Sequence, residues 1–216
     1  MAFKQILFDL DGTVTDPKTG ITNSVKYSLK KFGIDETDMD KLIQFIGPPL
    51  HHSFRDIYNF SETDSKLAVD YYREYYSDKG IFENELYQGI DILLEKLKNN
   101  NMTVLLATSK PTGYSETILK YFNIISYFDH VVGSNMDGTM TDKTEIIKYI
   151  LDMKLNKPDE TVMIGDRKYD IIGANNNQIK SIAVSYGYGS MEELKSASPS
   201  HICNNIPELD KLLLSF

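Results

Sequence analysis

The stretch Ile6-Leu7-Phe8-Asp9-Leu10-Asp11-Gly12-Thr13 sets a short apolar run directly before two carboxylates and a glycine. Its three apolar residues show no polar alternation, the pattern of a strand covered on both faces within a parallel sheet. Two acids at the end of such a strand need a reason, because unpaired buried charge is expensive. Open α/β sheets gather their ligands at the carboxyl ends of strands. A metal ion that keeps Asp9 ionised, while Asp11 carries a proton, gives the two carboxyl groups different tasks. Gly12 frees the backbone to approach an anion. The plainer alternative is an acidic turn hinged on Gly12. A calcium loop does not fit, because its glycine stands at the sixth position, whereas here Gly12 follows Asp11 at once and Val14 stands sixth.

The same apolar signature recurs at Val104-Leu105-Leu106, Val131-Val132, Val162-Met163-Ile164 and Ile182-Ala183-Val184. Helical patterns separate these runs at Ile90–Lys98, Tyr114–Phe122, Lys143–Met153 and Tyr169–Asn175. Alternation of this kind predicts βαβ units in a doubly wound, Rossmann-like α/β sheet. The segment from Ser198, with Ile206 to Leu214, reads as a last short strand and helix.

Residues 16–85 break the rhythm. Ile21, Val25, Leu29 and Phe32 share one helical face, Leu42, Ile43 and Ile46 a second, and Leu67, Tyr71, Tyr72 and Tyr75 a third. Gly33 is placed to stop the first helix, and Gly47-Pro48-Pro49 interrupts the chain near the second. The expected organisation is a core of residues 1–15 and 86–216 with an inserted helical domain of residues 16–85. The Tyr stripe is expected to pack the insert's core.

The 216 residues carry 31 acidic and 23 basic side chains, a formal charge of −8. That balance argues against nonspecific binding to a nucleic acid polymer or an anionic membrane. The single cysteine, Cys203, excludes a disulfide framework and a multi-cysteine zinc site. The N-terminal residues turn acidic at Asp9, unlike a secretory leader. A cytoplasmic monomer is the expectation.

Three other strand ends carry polar groups. Thr108-Ser109-Lys110-Pro111 follows Ala107; a hydroxyl there suits a phosphoryl oxygen, or caps a helix. Lys143 opens a helix after Thr141-Asp142, either to neutralise developing charge or as a solvated lysine. Gly165-Asp166 ends another run, with Asp170 four residues later; with Asp9 these acids suit a hard cation, or Asp166 caps a helix.

In this order, each at or after a strand end, these signals resemble the four motifs of haloacid dehalogenase superfamily phosphatases. The chain is most similar to the phosphoglycolate phosphatase-like branch of subfamily IA, which carries a helical cap. The resemblance implies a Mg²⁺-dependent phosphatase acting on a small phosphorylated metabolite. It places Asp9 as the nucleophile that forms an aspartyl-phosphate, and Asp11 as the general acid/base whose backbone carbonyl also binds Mg²⁺. Thr108 matches the hydroxyl that holds the phosphoryl group, Lys143 the catalytic lysine, Asp166 the further metal ligand, and Asp170 the acid in support. Amides of Leu10, Asp11 and Ser109 are expected to contact phosphate. Lys110 competes with Lys143 for the lysine role, which the family pattern assigns to the later helix. Arg167 is expected as a surface or salt-bridge residue, with a phosphate contact as the alternative.

Within the insert, Gly47-Pro48-Pro49-Leu50 resembles the cap loop that faces the substrate in this branch, and Arg55 is the candidate contact for a carboxylate or second phosphate. Phosphoglycolate, a 5′-nucleotide and pyrophosphate all suit such a cap. A haloacid dehalogenase is disfavoured by Asp11, Gly12 and Asp166. A phosphoglucomutase-like phosphotransferase shares nucleophile and metal. From other classes, a receiver-like signalling domain leaves residues 16–85 unexplained, and a non-catalytic binding module leaves the complete motif set unexplained.

Overall fold

In the computed structural model, which describes residues 3–214, Gln5–Phe8 forms strand β1 at the middle of a six-stranded sheet. The other strands are β4 (Thr103–Pro111), β5 (His130–Ser134), β6 (Thr161–Gly165), β7 (Lys180–Val184) and β8 (His201–Cys203), in the spatial order β5-β4-β1-β6-β7-β8. Every pairing is parallel. Ile6, Leu7 and Phe8 are completely buried, as a central strand covered on both faces requires.

Register decides where the polar strand ends fall. Phe8 lies opposite both Leu106 and Ile164, so Asp9, Thr108 and Asp166 fall at one edge within two residues of that common level. The Asp9 amide extends the ladder by donating to the Ile164 carbonyl at 2.9 Å. Since β4 and β6 flank β1 on opposite sides, this edge is the sheet's topological switch point.

Helices α5 (Ile90–Asn99), α6 (Thr112–Tyr121), α7 (Lys143–Asp152), α8 (Lys168–Asn176) and α9 (Met191–Ser196) lead from strand to strand, and α10 (Ile206–Leu214) follows β8. Ile146, Ile147 and Ile150 of α7 and Ala174 of α8 bury against Leu7, Leu105 and Met163. The sequence reading of strands and helices holds, with two differences. β4 runs on through Thr108, Ser109 and Lys110, so those residues are extended and α6 begins only after Pro111. The short α9, capped by Ser190, has too few turns to leave a clear periodicity.

The chain divides into two compact units, one up to Asp16 and from Leu86 onward, the other Pro17–Glu85. The two crossings are two-residue strands, β2 (Thr15–Asp16) and β3 (Glu85–Leu86). The second unit contains α1 (Lys18–Lys31), α2 (Met39–Ile43), α3 (Leu50–Tyr58) and α4 (Glu62–Tyr75), with a π-helical turn at Tyr76–Gly80. Pro49 sits immediately before α3, where its missing N–H costs nothing.

Ile21, Val25 and Leu29 of α1 and Leu42 of α2 are buried as their spacing predicts. On α4 the expected stripe is displaced: Leu67 is 40% exposed, and the buried positions are Ser65, Ala68 and Tyr72, continued by Tyr76. Burial there follows the close approach of α1, whose Ser28 hydroxyl donates to the Ala68 carbonyl at 2.7 Å. A small residue at position 68 permits that approach, so packing overrides the larger Leu67. No helix of the described residues is long and apolar enough to cross a membrane.

A methyl group on Gly20 would lie 1.9 Å from the Gly80 carbonyl oxygen, whereas one on Gly113 meets nothing within 4 Å. Gly20→Ala should therefore lose about 1–3 kcal/mol of stability through overpacking. Gly113→Ala should be neutral or stabilise by up to about 1 kcal/mol. Urea unfolding of the pair tests this, and equal midpoints would refute the packing of α1 on the π-helical turn.

Candidate active site

The turn after β1 is built around one carbonyl. Leu10 O accepts the amides of Thr13, Val14 and Thr15, and the Gly12 amide donates to Thr15 O at 2.7 Å. Gly12 takes φ +84°, a left-handed conformation that other residues adopt only with strain. A Cβ on Gly12 would also stand 2.2 Å from Asp166 Oδ2, so a glycine is needed for two independent reasons. The Leu10 amide meanwhile donates to Asp9 Oδ1 at 2.7 Å.

Lys143 lies in the first turn of α7, after Asp142 caps the helix by accepting from the Thr144 amide. Its ammonium is buried 2.7 Å from Asp9 Oδ1 and 2.7 Å from Asp170 Oδ1, and it donates to Ala107 O at 2.7 Å. Burial works against the Lys143 charge, but Asp170 and Asp9 outweigh it and hold its pKa above the usual lysine range. Asp170 receives the Arg167 amide on its other oxygen at 3.1 Å. The alternative that Asp166 caps α8 therefore does not hold: Arg167 is the cap residue, and Asp170 is the side chain that satisfies its amide. Arg167 itself is paired with Glu193, Nε to Oε1 at 2.9 Å, in agreement with its expected ion-pair role.

Asp166 is completely buried. Its Oδ2 accepts the Tyr188 amide at 2.7 Å, and Thr13 Oγ1 donates to Oδ1 at 3.5 Å. Glycines line it: a Cβ on Gly187 would fall 2.4 Å from the Asp166 Cβ, and one on Gly189 would fall 2.1 Å from its carbonyl oxygen. Burial above all, then the charges of Asp9 and Asp170, drive the Asp166 carboxyl well above the ordinary range. Burial likewise raises Asp170 despite Lys143, and raises Asp11 despite Lys110.

Asp9, Asp166 and Asp170 each offer one carboxylate oxygen, and these atoms lie within 4.8 Å of one another. With Asp11 they make four carboxylates against the two ammonium groups of Lys143 and Lys110. An all-oxygen donor set that is two positive charges short fits a hard divalent cation. The carboxylate of Asp11 stands apart from this set, because Lys110 Nζ holds its Oδ2 at 2.5 Å.

Thr108 is buried near the end of β4, where its hydroxyl accepts the Lys110 amide at 3.3 Å and keeps its own proton to donate. The Ser109 hydroxyl is committed to Thr141 O at 2.9 Å. Arg55 belongs to the Pro17–Glu85 unit and pairs with Asp56 of its own helix at 2.8 Å.

Two features escaped the sequence reading. One is the contact between Lys110 and Asp11, which joins residues 99 apart in sequence. The other is Tyr186-Gly187-Tyr188-Gly189, which begins two residues past the end of β7. Tyr186 donates its hydroxyl to Thr13 O at 3.0 Å and stacks edge-on against Tyr87 at 4.8 Å. Tyr188 donates its hydroxyl to Asp16. Alternating glycine and tyrosine after an apolar run was the available signal: glycines allow close backbone approach, and the rings cover what lies beneath.

Comparison with known proteins agrees with this geometry. The family model described as haloacid dehalogenase-like hydrolase matches residues 6–184. A 5′-nucleotidase of Pseudomonas aeruginosa is 42% identical over 215 residues, covering 100% of this chain and 97% of that protein. A tyrosine-protein kinase, PtkA, of Mycobacterium tuberculosis is 31% identical, over 96% of this chain and 70% of its own length. Among solved structures, one described as a predicted phosphatase from Clostridium acetobutylicum is 48% identical and superimposes with a TM-score of 0.95 over 100% of both chains.

Lys143→Met leaves Asp9 and Asp170 facing one another without their shared cation. Unfolding in urea with EDTA should show a loss of about 3–5 kcal/mol, as expected when one partner of a buried ion pair is removed. A loss below about 1 kcal/mol would mean that the ammonium does not hold these acids together.

Proposed function

The chain belongs to the haloacid dehalogenase-like hydrolase family and is a phosphatase, and we propose that it hydrolyses small-molecule phosphate monoesters through a covalent aspartyl-phosphate on Asp9. The observation that carries this reading is the convergence of Asp9, Lys143, Asp166 and Asp170 at one end of β1. A carboxylate needs help to attack a phosphate dianion, because like charges repel. Convergent cations are the physical remedy.

Mg²⁺ is the proposed metal; Asp9, Asp166 and the Asp11 carbonyl would hold it, with Asp170 in support, and it would supply charge neutralisation for the phosphoryl group. The Asp9 carboxylate attacks phosphorus as the bond to the leaving oxygen breaks. Asp11 gives that oxygen a proton, then takes one from the water that cleaves the acyl phosphate. Thr108 donates its hydroxyl and Ser109 its amide to phosphoryl oxygens, and the Leu10 amide, which lies on Asp9 Oδ1 in the free site, turns to them when substrate arrives. Lys143 spreads positive charge over Asp9 and the arriving group. The Pro17–Glu85 unit acts as the cap that recognises the leaving group, with Arg55 as a candidate contact. A 5′-nucleotide is the first substrate to test, supported by the 42% identical nucleotidase; phosphoglycolate and pyrophosphate follow.

Phosphate release should be measured across nucleoside monophosphates, phosphoglycolate, sugar phosphates and pyrophosphate, with Mg²⁺ or EDTA. Release is expected only with the metal, and Asp9→Asn should lower kcat by at least about 10⁴-fold, as loss of a nucleophile does. A folded protein that releases nothing, but moves phosphate between sugar bisphosphates, would replace hydrolysis with phosphotransfer.

Metal binding has a pH signature. Asp166 holds its proton more tightly folded than unfolded, so without metal it costs stability above its raised pKa, and that cost vanishes as pH falls through the ordinary carboxylate range. A divalent cation takes the proton's place. Mg²⁺ at about 100 times its Kd should raise Tm by about 5–10 °C near pH 8, and by clearly less near pH 5. Equal shifts at both pH values would remove these acids from the metal site.

A further inference from the structure

The β4 strand carries its extended conformation past Thr108 to Pro111, and this places Lys110 where a helix-first reading would not. Gly133 of β5 permits it: a Cβ there would lie 2.3 Å from the Lys110 carbonyl oxygen. The Lys110 side chain is only 8% exposed, and its ammonium lies 2.5 Å from Asp11 Oδ2. The opposite oxygen, Asp11 Oδ1, is buried and has no hydrogen-bond partner among the described residues.

An acid that must protonate a leaving group in flight needs one oxygen anchored and the other presented. A carboxylate that swings between rotamers delivers its proton late or to the wrong atom. The asymmetry at Asp11 has this form. Lys143 is engaged elsewhere, by Asp9, Asp170 and Ala107 O, so the two lysines divide the acids between them.

We propose that Lys110 is the positioning residue for proton delivery: it pins one oxygen of Asp11 so that the other faces the leaving-group oxygen. The inference rests on the phosphatase reading above. In the step concerned, the Asp9–phosphorus bond forms, the bond from phosphorus to the ester oxygen breaks, and the proton on Asp11 passes to that oxygen. Lys110 exchanges no bond or proton. Its effect therefore scales with how much the leaving group needs the proton. An alkyl phosphate expels a strongly basic alkoxide and depends on Asp11, whereas p-nitrophenyl phosphate expels a stable phenolate and depends on it far less.

The test compares kcat/KM for AMP and for p-nitrophenyl phosphate, since that parameter ends at departure of the leaving group. Lys110→Gln should lose about 100-fold on AMP. Its loss on p-nitrophenyl phosphate should be at least about tenfold smaller. In an Asp11→Asn background the same change should cost AMP turnover less than about threefold, because the group it positions is gone. Lys110→Arg, which keeps a cation, carries the same comparison if the glutamine variant does not fold, and should show a smaller AMP loss than Lys110→Gln. Equal losses on both esters would overturn the proposal in favour of a direct phosphate contact. A full additional loss in the Asp11→Asn background would overturn it as well. Wild-type protein that hydrolyses neither these esters nor any other phosphate of the panel above would instead defeat the phosphatase reading on which the proposal stands.

Discussion

Everything at the carboxyl edge of this sheet depends on one buried ammonium group. Lys143 sits 2.7 Å from two carboxylates, one ending β1 and the other in the first turn of α8. Without it, Asp9 and Asp170 would repel each other in a low-dielectric environment, where such repulsion is strong. With it, each carboxylate has a cationic partner at ion-pair distance, and the backbone of β4 joins the arrangement through Ala107 O. Three elements far apart in sequence are thus tied to one nitrogen atom.

Close packing makes that arrangement possible. Gly12, Gly165, Gly187 and Gly189 surround Asp166 and Asp170 so tightly that a methyl group on any of them would collide. Glycine is ordinarily a conformational liability. Here its absent side chain lets backbone approach carboxylates that water cannot reach, and backbone amides supply part of the solvation that water would have given. The Tyr188 amide on Asp166 and the Arg167 amide on Asp170 are examples. What remains is a surplus of negative charge that a divalent cation is suited to balance. A phosphate monoester is itself a dianion, so a carboxylate-lined site that receives one needs such a balance.

The legibility of the chain varied with the range of the interaction. β1, β6 and α7 were readable because their apolar spacing is local and their faces are buried. The stripe on α4 was only partly placed: Tyr72 is buried as read, but Leu67 is exposed and Ala68 is the position that meets α1. Periodicity names a helix; the partner chooses the face. Lys110 was weighed as a rival to Lys143, and both proved to be engaged with acids, each with different ones.

The sequence by itself determined the strand-and-helix alternation, the helical character of residues 16–85, and the residue types of the site: a strand-end Asp-x-Asp-Gly-Thr, a hydroxyl, a lysine and a Gly-Asp with a second acid one turn on. Those are properties of short segments, and short segments carry them in composition and spacing. Tertiary structure decided which group meets which. The order β4-β1-β6, with Phe8 level with Leu106 and Ile164, brings Asp9, Thr108 and Asp166 to one edge. That alignment delivers Lys143 to Asp9 and Asp170, Lys110 to Asp11, and the Tyr188 amide to Asp166. Pairings across 99 residues or more are set by strand order and register, which arise from packing the whole sheet and have no local signature to read.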